Sequence, residues 1–118
     1  MSAQYVRIVD AATLVPNWVT PRPEVLDLGT HRVIAVTVRV LKAGTATDAN
    51  TVVKLQTAAV NEEGAFVDVG SSVRVDSAAP PGATFFEIPA FSRFIRAATG
   101  TGSFAGGPVV NIDLVAKS

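Results

Sequence analysis

Apolar residues in this chain recur at every second position, and that period restricts it to strands more tightly than anything else it contains. Within residues 32–41, Ile34, Val36, Val38 and Val40 fall on one side while Thr37 and Arg39 fall on the other. This is the pattern of a strand with one face in a core and one in water. The alternation returns in 51–58, where Val53 and Leu55 face in and Lys54 and Gln56 face out, and near the end, where Val110, Ile112 and Leu114 oppose Asn111 and Asp113. Shorter strands are expected at 66–69, 72–76, 84–88 and 93–98, each bounded by Gly, Pro, Asn or Ser. No segment between them carries a clear helical spacing.

The connections read as turns. Residues 43–50 (AGTATDAN) and 61–64 (NEEG) are polar, and Pro80-Pro81-Gly82 cannot continue a ladder because proline brings no backbone donor. Residues 100–108 (GTGSFAGGP) hold four glycines and predict the most flexible loop, with Phe104 as an aromatic contact point at its tip. Strand after strand with Gly and Pro turns predicts an all-β antiparallel β-sandwich of jelly-roll type over 25–118. Residues 1–24 differ. There 5–9 suits a strand, but Pro16, Pro21 and Pro23 then space an extended stretch around the single tryptophan, Trp18. An N-terminal arm or edge segment is expected, packed on its own domain or reaching a neighbour.

Composition narrows the function classes. At 118 residues, 48% of them hydrophobic and 17% charged, the chain suits one domain with a real core. Ten basic and ten acidic side chains cancel, so no long-range field draws it to nucleic acid or an anionic membrane. The same neutrality leaves little colloidal repulsion and points to a homo-oligomer or larger assembly whose neighbours cover part of the surface. The absence of Cys removes disulfides, thiolate chemistry and Cys-ligated zinc together. No apolar run reaches the roughly 20 residues that span a bilayer. Arg7 and Asp10 interrupt the start where a signal peptide needs its apolar stretch, so a soluble chain made in the cytoplasm is expected.

Few residues offer chemistry. His31 stands alone at the start of the longest alternating strand, with no G-x-S-x-G nucleophile motif to serve and no second ligand for a metal. Glu62-Glu63 read as solvated turn residues, and nothing brings Asp68 and Glu87 together as a carboxylate pair. Asp48-Ala49-Asn50 reads as a turn whose side chains bond their own backbone. The glycine run lacks the Lys-Ser/Thr ending of a phosphate loop. No catalytic, metal or cofactor site is therefore expected, and no small-molecule ligand. Phe85, Phe86, Phe91 and Phe94 suit cross-strand packing in the core, with Phe91 and Phe104 as the exceptions at the surface. Arg93 and Arg96 bracket Phe94 and Ile95, one on each face of their strand, so one of them needs an internal acid such as Glu87 or a partner.

Four stretches in order carry a resemblance: Val25-Leu26-Asp27-Leu28-Gly29 with His31-Arg32, then Val52-Val53-Lys54-Leu55-Gln56-Thr57, then Gly64-Ala65-Phe66-Val67-Asp68-Val69, then Arg93-Phe94-Ile95-Arg96-Ala97. From residue 25 to residue 116 the chain resembles small β-sandwich structural proteins of tailed phages and prophages. It departs from them at Phe66, where Trp is common, and at Ala58-Ala59, where a Ser-Asp step is expected. The resemblance implies a non-enzymatic virion component, a capsid decoration (cement) protein or a head or tail accessory protein. Its partner would be the major capsid protein or another virion protein. The alternative on the same fold is a carbohydrate-binding or host-adhesion module. The expected partner-facing residues are Tyr5, Trp18, Phe91, Arg93, Arg96 and Phe104.

Overall fold

The apolar halves of the alternating segments close on one another as two antiparallel sheets in a computed structural model that describes residues 3–21, 24–29, 33–89 and 93–117. The strands are β1 (Ala3–Thr13), β2 (Leu26–Asp27), β3 (Val33–Lys42), β4 (Val52–Ala58), β5 (Val67–Arg74), β6 (Ala83–Pro89), β7 (Phe94–Thr99) and β8 (Val109–Lys117). One sheet has the order β1-β8-β3-β6 and the other β2-β7-β4-β5. The antiparallel partners are nested, with β1 on β8, β2 on β7, β3 on β6 and β4 on β5. A single long ribbon folded in half and rolled across two layers makes that pattern, which is the jelly roll the sequence predicts. No helix of the described residues is long and apolar enough to cross a membrane.

Between the layers lie Ile34, Val36 and Val38 of β3, Val53 and Leu55 of β4, Ile95 and Ala97 of β7, and Val110, Ile112 and Leu114 of β8. These are the positions the alternation turns inward, and each large side chain among them stabilises the fold by about 1.5–3 kcal/mol on burial. The two short strands expected at 66–69 and 72–76 are one strand, β5, with a register shift against β4 between Val53 and Leu55. Gly70 sits in that irregular stretch at φ +73°, and a Cβ there would stand 2.6 Å from the Ile88 side chain. Glycine thus permits both the bend and the close approach of β5 to β6.

The N-terminal segment takes the edge-segment alternative and packs on its own domain. β1 pairs with β8 along one sheet edge, and Val9 and Leu14 enter the core. A bulge in β1 places Ala11 at φ 47°, where its N–H donates to the side-chain oxygen of buried Asn111 at 2.6 Å. The chain then crosses to the second sheet, where Val19 bridges Ala98 and β2 pairs with β7. Prolines suit such a path because an edge strand has one side with no ladder to complete.

The glycine-rich loop departs from expectation. Its Ser103 N–H donates to Asp48 at 3.1 Å, Gly102 N–H to the Asn50 carbonyl at 3.1 Å, and the Thr51 hydroxyl to the Ser103 carbonyl at 2.7 Å. Phe104 is packed into the core, 9% exposed, and does not project as a contact residue. A Cβ on Gly102 would come within 2.6 Å of the Thr51 backbone nitrogen. Here glycine supplies close packing between loops, not freedom. Beneath them lies Asp76, which receives the Asp48 N–H at 2.8 Å, the Ala78 N–H at 3.0 Å and the Arg74 guanidinium. The loops 43–51, 75–82 and 100–108 are laced into one end of the sandwich.

Candidate functional site

On the outer side of the β2-β7-β4-β5 sheet, Asp68, Gln56 and Arg96 are cross-strand neighbours. They point outward because Val69, Leu55 and Ala97, one position along, point into the core. The row is hydrogen-bonded throughout. Arg96 Nε donates to Gln56 Oε1 at 2.9 Å, Gln56 Nε2 donates to Asp68 Oδ1 at 2.9 Å, and Lys54 Nζ donates to Asp68 Oδ2 at 3.0 Å. These bonds, that from Gln56 first, hold the Asp68 carboxyl below the ordinary carboxylate range.

The turn after β4 folds back over this row. It brings the Phe66 ring to 4.0 Å from the guanidinium carbon of Arg96, a cation–π contact. It also brings Glu63, whose two oxygens accept from Arg96 Nη1 at 3.1 Å and Nη2 at 3.3 Å. The two ends of this pair differ sharply in exposure, 7% for the Arg96 side chain and 79% for that of Glu63. Hydrogen bonds from Arg96 hold the Glu63 carboxyl below its usual range.

A recess of about 140 Å³ opens beside the guanidinium. Val19, Thr20, Pro21 and Val25 wall one side, and Asn61, Glu63 and Phe66 the other. It exists because the edge segment leaves β7 and returns. Val19 pairs with Ala98 and Leu26 with Ile95, so the edge advances seven residues while β7 advances three. Beside it, the Glu24 N–H donates to the Pro21 carbonyl at 2.8 Å. Where the ladder parts, the Thr20 hydroxyl accepts the Ala97 N–H at 2.9 Å and so keeps that donor satisfied.

The other sequence-predicted residues are dispersed. Arg93 forms an exposed pair with Asp27 at 2.8 Å and lies 5.2 Å from the Phe94 ring centre. The Arg93 bonds hold the Asp27 carboxyl below the usual range. Tyr5 stands on the outer face of the other sheet, 62% exposed, its hydroxyl donating to Asp113 at 2.8 Å beside Arg7. Trp18 is half-buried against the core, with its backbone N–H donating to the Thr99 hydroxyl. Phe91 and His31 lie outside the described residues. The acid that meets Arg96 is Glu63 rather than Glu87, which is on the outer face of the opposite sheet near Lys117. Phe85, expected in the core, is 63% exposed, because adjacent residues of a strand face opposite ways and Phe86 takes the inner position.

Sequence reasoning missed Gln56, Glu63 and Phe66 as a group. The outward parity of Gln56 and Arg96 was a usable signal, but their adjacency depends on which strands pair. The arrangement as a whole can grip a planar anion through the Arg96 fork. Among the described residues, His, Asp and Glu side chains form no group of three or more that could hold a metal ion. Comparison with protein-family models, with curated proteins and with solved structures gave no match, so the recess is read from its own geometry.

Proposed function

We propose that this chain is a non-enzymatic structural protein of a virion-like particle, a decoration (cement) protein that packs on the outer surface of a capsid, as a homo-oligomer. The observation that carries this reading is the outer face of the β1-β8-β3-β6 sheet. Two adjacent rows run across it, Tyr5–Val115–Ala35–Glu87 and Arg7–Asp113–Thr37–Phe85. Phe85 and Tyr5 stand more than three-fifths exposed at opposite edges, with exposed Val33 on the same face. Large apolar side chains left in water around a fixed ion pair, Arg7–Asp113 at 2.7 Å, suit a surface that a protein partner covers. The phage-like order of sequence motifs supplies the choice of partner.

The test is sedimentation of the tagged chain from a phage or cell lysate on a density gradient, with mass spectrometry of co-migrating proteins. The wild type should travel with megadalton particles and a major capsid protein, and Phe85→Asp should move it to the top of the gradient while it stays folded. A wild-type chain that sediments only as a small species overturns the reading.

A further inference from the structure

We propose that the Arg96 recess is a carboxylate-binding site, in which Glu63 is an internal occupant that the carboxylate of a partner chain displaces. The site does not depend on the virion reading and would serve any protein partner that presents such a group.

The guanidinium is positioned without Glu63. Gln56 holds its Nε at 2.9 Å and Phe66 lies against its face at 4.0 Å, so the Nη1 and Nη2 donors keep their direction when Glu63 leaves. That fork matches two carboxylate oxygens, and the geometry with Glu63 already demonstrates the match. Glu63 itself is weakly retained. It is mostly in water, on a turn that reverses at Gly64 with φ +89°, so its carboxylate is solvated as soon as it leaves the guanidinium. Rotation of its own side chain clears the fork.

The space beside the guanidinium sets the size and character of the newcomer. At about 140 Å³ the recess is well below the roughly 300–1,000 Å³ of drug-sized pockets. It takes one acidic side chain or one chain terminus. Val19, Pro21 and Val25 give it apolar walls, which favour a carboxylate on a short aliphatic stem.

The experiment is an NMR titration with sodium propionate against sodium chloride at matched ionic strength. It follows the Arg96 Nε–Hε signal and the Phe66 ring in the wild type and in Glu63→Ala. Saturable shifts at both reporters are expected, with the variant binding a few-fold more tightly because the competitor is gone. Absence of a saturable shift in Glu63→Ala, or equal affinity in the two proteins, overturns the proposal. Two peptides then separate the sources. One ends in a C-terminal carboxylate and lacks acidic side chains, and the other is amidated and carries an internal Glu. Binding of the first assigns the site to a chain end and of the second to an acidic side chain, and binding of neither overturns it. Particle association is read separately on the gradient, so each idea fails on its own measurement.

Discussion

Asp76 and Arg96 are both charged groups withdrawn from water, and they are held in opposite ways. Asp76 is fully buried and receives backbone N–H donors from two loops, with Arg74 beside it. Its partners include main-chain donors of two loops as well as Arg74, so the carboxylate is a fixed component of the laced end. Among the described residues, Arg96 is held by side chains, and its charge partner extends into solvent. A buried anion that joins two loops through backbone amides is structure, because removing it takes a hydrogen bond from each loop at once. A buried cation whose counter-ion is solvated can exchange that counter-ion at little cost to the fold.

The largest expected effect tests the first half of this contrast. Asp76→Ala should lower Tm by roughly 10 °C or more, since it leaves two loop amides unpartnered and loosens the joined turns. Thermal unfolding followed by circular dichroism reads the drop, and hydrogen exchange should quicken at Asp48 and Ala78. A variant that melts within about 3 °C of wild type would break the comparison.

Gly102→Ala comes next, at about 1–3 kcal/mol of destabilisation by denaturant titration, because the new methyl meets the backbone at Thr51. If the alanine variant is as stable as wild type, the loop is loose rather than laced.

Acid sharpens the same point. Arg74 and the loop amides hold the Asp76 carboxyl down to about 2, from an ordinary 3.8. The unfolded chain therefore binds this proton more readily, and the contribution of Asp76 is complete above about pH 4 and lost as pH falls toward 2. Asp27, Glu63, Asp68 and Asp113 shift downward as well and act in the same direction. Stability measured between pH 4 and 2 should fall less steeply in Asp76→Asn than in wild type.

The smallest effects belong to the recess. Arg96→Met should cost much less than Asp76→Ala, since Glu63 remains solvated and no buried counter-charge is stranded. Glu63→Ala should leave Tm within about 3 °C of wild type. A loss from either that rivals Asp76→Ala would mean that the Arg96 pair is structural, and exchange of its occupant would then be excluded.

The core was legible from the alternation. Ile34, Val36 and Val38, Val53 and Leu55, and Ile112 and Leu114 all point inward as their parity dictates. The first edge was less so, because an edge strand has a less restrictive pattern and tolerates proline, so residues 1–24 read as an arm or edge segment. Nor was the role of the glycines at 100–108, since the same residue permits flexibility in an isolated loop and close approach in a crowded one. Arg96 could be marked as needing a partner. Finding Glu63 required knowing that the turn after β4 folds over β7, a contact between residues 33 apart in the chain.

By itself the sequence determined most of the strands, most of their inward faces, and the absence of any disulfide, because period and composition act locally on each segment. Only the tertiary structure decided which particular strands are neighbours, and with that the burial of Phe104 and Asp76, and the meeting of Arg96, Gln56, Phe66 and Glu63. Those outcomes rest on long-range pairing and on how much space remains between elements. Neither is encoded in the pattern of any one segment.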